Sequence, residues 1–258
     1  MKKSLALIAV LGCFSQSSMA ATTFTMSSLG TSVAAAQTNF RALSEDFGSA
    51  LSYKPVTPAA ALGITGFDIG IEVSGTDIAK SATAWKAATG NDGLGTLPMA
   101  KLHVAKGLPF GIDVSAFYTS VPTTDITVTG AALSYAILEG GPLEPALTVR
   151  AAATRLNGVN EFTFSTKSVD ISFSKGFMGF TPYIGAGQVW VDSSSTATLT
   201  IPAVGATPAS TFSLQAETFT QSKVFVGFNI NFGLPNFAIE ADQTGGTSTY
   251  SAKLGLRW

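Results

Sequence analysis

Towards the end of the chain, apolar and polar residues alternate with a period of two. Tyr250, Ala252, Leu254, Leu256 and Trp258 interleave with Ser251, Lys253, Gly255 and Arg257, the pattern of a strand with one apolar and one polar face. Val224, Val226, Phe228, Ile230 and Phe232 repeat it upstream, and Phe237, Ile239 and Ala241 alternate with Ala238, Glu240 and Asp242. Turns rich in glycine and proline, such as Glu139-Gly140-Gly141-Pro142 and Gly233-Leu234-Pro235-Asn236, separate the runs. This punctuation predicts strands over about 64–74, 98–106, 110–121, 125–138, 145–156, 161–175, 180–192, 213–232, 236–243 and 248–258. Short turns broadly alternate with longer connections, notably 75–97 and 193–212, as in a barrel with one short-turn end and one long-loop end.

Two segments break this period. Val33, Gln37, Phe40, Leu43, Phe47 and Leu51 recur at helical spacing, and Pro55 and Pro58 end the run. The segment is expected to be a short amphipathic helix that plugs the barrel, or else a periplasmic tail or an extra edge strand. A second helix is expected in the first long connection. There Thr76 or Asp77 caps it, Ile78, Ala82 and Trp85 share a face, and Gly90 stops it.

Composition narrows the class. Of 258 residues 46% are apolar and only 12% charged, with 18 Phe and 26 Gly. Such a chain is too aromatic and too poor in charge to be disordered. A net charge of −1 without a basic run gives nucleic acid no electrostatic footprint. After the first residues no apolar stretch approaches the roughly 18 needed for a spanning helix, whereas the strands have the roughly 9–11 residues that cross a bilayer at a tilt. Lys2 and Lys3, the apolar run Leu5–Phe14 and Ser18-Met19-Ala20 read as a secretory signal peptide cut before Ala21. The only cysteine, Cys13, falls within it, leaving a mature chain without disulfides. The expected division is a signal peptide over 1–20, a periplasmic or plug segment over 21–60 and a barrel over 61–258. The fold class is all-β: a transmembrane antiparallel up-and-down β-barrel of about ten strands, with twelve as the alternative.

Three segments carry resemblances. The terminal strand Tyr250–Trp258, with Tyr250, Leu254, Leu256 and Trp258 on one face, resembles the C-terminal signal of Gram-negative outer-membrane barrels. That resemblance implies outer-membrane localisation and reading of the strand by the barrel-assembly machinery. Pro182-Tyr183-Ile184-Gly185-Ala186-Gly187 is similar to a strand opening of small barrels of the OmpA/OmpW type. Glu45-Asp46-Phe47-Gly48-Ser49-Ala50-Leu51-Ser52-Tyr53-Lys54-Pro55 resembles a segment near the N-terminus of FadL-type transporters of hydrophobic compounds. It departs from them at Lys54, where Asn is usual, and at Val56, where Gly is usual.

Alternation also sorts the charges. Asp68, Glu72, Lys101, His103, Asp113, Arg150, Glu240, Asp242, Lys253 and Arg257 are expected to face inward. Mixed signs point to ion pairs that fill a narrow lumen rather than to a one-sign selectivity ring. Closure should place Lys253 beside Glu72 or Glu240. An enzymatic reading needs a nucleophile and a base. The only histidine, His103, has no His-x-Ser partner, although Ser115 on the next strand can approach it. A lipid-modifying enzyme using His103 is therefore the remote alternative to a non-enzymatic barrel. No metal-ligand cluster or phosphate loop implies a cofactor. The expected function is a small pore or a carrier for small hydrophobic compounds, and the rival is a structural or adhesive surface barrel acting through its loops. Expected partners are outer-membrane lipid and lipopolysaccharide, the assembly machinery and a small hydrophobic ligand, not nucleic acid.

Overall fold

The computed structural model describes residues 24–90, 95–121, 124–141, 144–159, 161–201 and 209–258. The expected signal peptide and Cys13 lie outside them. Among the described residues there are two helices, α1 (Val33–Leu51) and α2 (Ala82–Thr89), the latter entered through a 3₁₀ turn, Ala79–Ser81. The strands are β1 (Phe67–Asp77), β2 (Thr96–Gly107), β3 (Ile112–Ser120), β4 (Thr127–Glu139), β5 (Pro145–Asn157), β6 (Phe162–Lys175), β7 (Phe180–Ser195), β8 (Thr198–Ile201), β9 (Ser210–Ser213), β10 (Glu217–Asn231), β11 (Pro235–Thr244) and β12 (Thr247–Arg257).

Ten strands close an antiparallel barrel in the order β1-β12-β11-β10-β7-β6-β5-β4-β3-β2, while β8 and β9 pair only with each other. The twelve-strand alternative is thereby corrected: the extra strands form a hairpin inside the expected 193–212 loop. Short turns β2–β3, β4–β5, β6–β7 and β10–β11 gather at one end with Phe67 and Trp258. Two of these turns place consecutive residues at positive φ, Phe110-Gly111 and Met178-Gly179; the second is the two-residue loop closed by Phe177 and Phe180, where that geometry is demanded. The other end carries the connections β1–β2, β3–β4, β5–β6, β7–β10 and β11–β12.

Two expected boundaries move. Residues 64–66 turn instead of extending, with the Gly66 amide bonded to the Gly63 carbonyl, and β1 instead runs on to Asp77. Thr76 and Asp77 therefore belong to β1 and do not cap α2, although the Asp77 carboxylate accepts from the Ala79 amide. Gly90 does end α2, at φ 69°, where a side chain would be strained.

The two faces of the wall exchange character along the barrel. Near the short turns the outside is apolar: Val169, Ile171 and Phe173 on β6, and Val224 and Val226 on β10, are exposed. The inside there holds Asp170, Ser172, Ser174 and Lys223. Towards the long loops the outside turns polar, with Thr163, Ser165, Thr218, Thr220 and Ser222. The inside turns apolar, with Phe162, Phe164, Val189, Val191 and Leu156 buried. One strand thus serves two environments without changing register, because only the polarity assigned to each parity changes.

Candidate functional site in the lumen

The apolar upper interior is filled by α1. Ser32 caps the helix by accepting from the Ala35 amide, and Phe40, Leu43, Ala50 and Leu51 are buried against the wall. Phe40, Leu43 and Leu51 each contribute about 1.5–3 kcal/mol of burial. Phe47 joins Phe24, Trp85, Phe162 and Phe164 in an aromatic cluster with centroids 5.2–5.8 Å from its ring. The helix runs close to the wall at Gly48, where a Cβ would stand 2.2 Å from Gln221 Oε1 and 2.8 Å from Val191. A side chain at this position would have to displace both. The long-loop end seals around it. The Thr25 amide donates to Ala88. Ser81, Trp85 Nε1 (2.7 Å) and Thr247 (3.2 Å) donate to the Asp46 carboxylate. Gln37 and Arg41 reach Glu217 at the start of β10.

Below α1 the chain continues as an extended strap, 52–66, through the polar half. It binds the wall by hydrogen bonds on several sides. Lys223 donates to the Tyr53 carbonyl (2.6 Å), the Val56 amide to Glu240 (3.1 Å) and the Ala59 amide to Ser174 (3.1 Å). The Leu62 amide donates to Asp113 (3.2 Å), and Arg257 to the Ala60 carbonyl (3.0 Å). Lys54 Nζ donates to the Ser49 carbonyl (2.8 Å) and lies 2.9 Å from Asp242 Oδ2, as an ion pair rather than an aligned hydrogen bond. Val56 is fully buried at φ 44°, a strained position for a β-branched residue that its bond to Glu240 holds in place. Residues 24–66 therefore descend inside the barrel from the long-loop end to the short-turn end.

All ten charged residues assigned inward by alternation lie inside the barrel, and most find partners there. Lys253 bonds Asp68 (2.8 and 3.0 Å) across the β1–β12 seam, with Arg257 at 3.4 Å. Lys101 pairs with Glu72 (2.9 Å). The expected partners of Lys253, Glu72 and Glu240, are thus corrected to Asp68. Glu72 lies opposite Lys253 in register but its carboxylate turns to Lys101, and Glu240 turns to the strap. Arg150 forms a two-point pair with Asp170 (2.7 and 3.3 Å). Alternation also predicts Asp170 and Lys223, because they interleave with Val169, Ile171 and Val224. Lys54 and Tyr53 carry no strand period, and only the strap's placement reveals them.

His103 and Ser115 do not touch. Tyr53 stands between them, donating to Ser115 Oγ (2.6 Å) and lying 3.0 Å from His103 Nε2. One phenolic proton cannot serve both, so His103 is assigned as the Nε2–H donor, leaving Nδ1 buried without a partner. The adjoining cavity is about 40 Å³, room for a water or two and not for a lipid. Among the described residues no cluster of three or more His, Cys, Asp or Glu could hold a metal. Tyr250, Leu254, Leu256 and Trp258 all point outward and are half exposed or more, and Trp258 stacks on Phe67 at 5.1 Å, joining the chain's last residue to β1.

A further space lies beside α1. Phe47 and Leu51 of α1, Leu97 and Met99 of β2, Val128 of β4 and Leu156 of β5 enclose an apolar cavity of about 110 Å³, which reaches the loop end beside Val121 and Ile126.

No family model matches the chain, and no curated protein matches it. Among solved structures, the N-terminal β-barrel domain of Pseudomonas aeruginosa OprF is 11% identical with a TM-score of 0.34, covering 76% of this chain and 99% of that one. Neisserial surface protein A is 8% identical with a TM-score of 0.30, over 74% and 94%. A loop-deletion form of OmpT, an outer membrane protein of Vibrio cholerae, is 13% identical with a TM-score of 0.31, over 62% and 54%.

Proposed function

We propose that this chain is a non-enzymatic outer-membrane barrel, closed to ions by its own amino-terminal segment, that takes small hydrophobic compounds from the outer face. The exterior supports the membrane setting. An apolar band is bordered by outward Tyr118, Trp190 and Tyr250 towards the loops and by Phe180, Phe232 and Trp258 towards the turns, the paired aromatic girdles of a barrel in lipid. Short turns belong on the periplasmic side and long loops outside. Outward presentation of Trp258 and Leu256 suits recognition by the barrel-assembly machinery.

The observation that carries the ligand reading is the 110 Å³ apolar cavity beneath the loops. Dry apolar cavities of roughly 150 Å³ take up benzene or xenon, so a monoaromatic compound or the tip of an acyl chain matches in size and polarity. Beneath it, the strap is hydrogen-bonded to Asp113, Ser174, Lys223, Glu240 and Arg257 of five different strands, which supports a plugged barrel over a standing pore. Passage then requires α1 or the strap to shift.

The test uses the barrel refolded into nanodiscs with 4-fluorotoluene as a ¹⁹F NMR probe. A resonance distinct from lipid-dissolved probe is expected, and Leu156→Phe, which fills the cavity, should remove it while heat-modifiable migration stays unchanged. The bound resonance persisting in Leu156→Phe, or conductance steps from the intact protein in planar bilayers, would refute the reading. Binding without release across the bilayer would favour the surface-barrel alternative.

A further inference from the structure

We infer that Arg155 and Lys167 form a docking site on the outer wall for the phosphorylated glucosamine lipid of lipopolysaccharide. This rests on the outer-membrane reading and on the long-loop end facing outward. Both residues occupy outward positions and are exposed. They sit on neighbouring strands in diagonal register, since Arg155 pairs with Ser165 and Lys167 with Ala153. Diagonal neighbours across an antiparallel pair stand about 7–8 Å apart at Cα, so two long cationic side chains can converge on one anion. Among the described residues neither has an ion-pair partner.

Their height on the wall gives the pair its meaning. Lys167 is one outward step above Val169, where the apolar band of β6 begins, and directly opposite Trp190 on β7. An outward cation is costly near the bilayer midplane and nearly free at the interface, where the anion on offer is a lipid phosphate. At the same level, outward positions on other strands hold Thr129, Thr220, Ser222, Gln243 and Ser248, so the basic pair is confined to one side. The outward carboxylate Asp192 on β7 pairs with Ser165 and so shares Arg155's row, diagonal to Lys167 from the other side; it accepts from Thr218, and the three side chains together keep one net positive charge.

A second observation concerns the wall below. A groove of about 600 Å³ crosses the exterior from β5 to β12, with Ile171, Phe173, Ile184, Val224, Val226 and Tyr250 among its lining. On β6 and β7 its lining begins at Ile171 and Ala186, two outward steps below Lys167 and Trp190. Two cations at headgroup height, an aromatic beside them and an apolar groove beneath match an amphiphile whose phosphate lies above its acyl chains. In an outer membrane the loop-side leaflet is lipopolysaccharide, which selects lipid A as the occupant.

The experiment is native mass spectrometry of the full barrel released from nanodiscs, with diphosphorylated lipid A, chemically dephosphorylated lipid A and phosphatidylglycerol as separate probes. The wild type should retain diphosphorylated lipid A, and Arg155→Gln/Lys167→Gln should lose about tenfold or more of that retention. Dephosphorylated lipid A should bind both proteins weakly and equally. Raising salt should release lipid A from the wild type, a readout that needs no variant to fold. Equal retention by the double variant, insensitivity to salt, or equal binding of phosphatidylglycerol would overturn the proposal. If the wild type gives no heat-modifiable, protease-resistant form in liposomes, the outer-membrane reading itself falls, a result separate from any loss of lipid selectivity.

Discussion

Replacing Lys253 by Met removes the cation at the seam where the first and last barrel strands meet. Lys253 Nζ lies 2.8 and 3.0 Å from the two oxygens of Asp68, and both side chains are fully enclosed. An exposed pair of this geometry would contribute about 0–1 kcal/mol. Here the loss strands a carboxylate inside the wall, for which about 3–5 kcal/mol is typical. Arg257, 3.4 Å from the same oxygen and 14% exposed, retains part of the attraction, so the lower end of that range applies. About 3 kcal/mol is roughly two decades in the unfolding equilibrium constant. Asp68→Asn in the Lys253→Met background removes the stranded charge and should recover at least about 1 kcal/mol as a coupling energy. Urea unfolding of the liposome-inserted barrel, followed by heat-modifiable migration, measures all four corners of the cycle. Coupling to Glu240, which bonds the strap, should fall within about 0.5 kcal/mol of zero. A 253–68 coupling below about 0.5 kcal/mol, or a larger coupling to Glu240, would refute the assignment of the closing ion pair.

Phe228 is expected to accept Leu but to lose about 2–4 kcal/mol as Arg, because it faces lipid near mid-band; its inward neighbour Asn229 is fully buried, so Asn229→Arg should also fail in the same urea assay, and a tolerated Asn229→Arg would show a water-filled lumen. Burial pushes the Asp46 carboxyl above the usual carboxylate range, outweighing its Ser81, Trp85 and Thr247 donors. A raised folded value means that the folded state binds the proton more tightly, so this contribution is present at low pH and lost as pH rises through the raised value. Protection factors in α2, with the intrinsic pH dependence of exchange divided out, should therefore rise on mild acidification, and Asp46→Asn should flatten that dependence; an unchanged slope in the variant would count against it. Because Thr25 and Ser28 bond to α2 at the long-loop end, an epitope inserted before Ser27 should be stained on intact cells, and staining only after outer-membrane permeabilisation would reverse the assigned direction of the segment.

The barrel was legible because its strands are long and their period of two survives along most of the wall. The reversal of faces near the loops left the period intact, since Phe162 and Phe164 keep the parity of Asp170 and Ser172 while changing polarity. Helix α1 was legible from Phe40, Leu43, Phe47 and Leu51. Its apolar stripe did not reveal what it packs on, because buried wall and any other apolar surface select the same residues. The β8–β9 hairpin escaped because two four-residue strands carry too few alternations to stand out from a loop. Inward charges followed from alternation, but their pairing did not. Register alone places Glu72 opposite Lys253, and the exchange of partners between Asp68 and Glu72 depends on side-chain reach across three strands. Lys54 and Tyr53, which knit the strap to the wall, lie outside any periodic element.

The central claim is that residues 24–66 occupy the lumen of the folded barrel. Ser44 on α1 and Ser193 on β7 are both buried, with their hydroxyl oxygens 2.6 Å apart, close enough for cysteines there to meet disulfide geometry. Expressed from Ala21 onward, the chain carries no competing cysteine. Ser44→Cys/Ser193→Cys refolded in liposomes should oxidise nearly completely and show a shifted non-reducing band, with single-channel recordings remaining silent. Two thiols that stay reduced and react freely with a membrane-impermeant maleimide, together with open conductance, would contradict it.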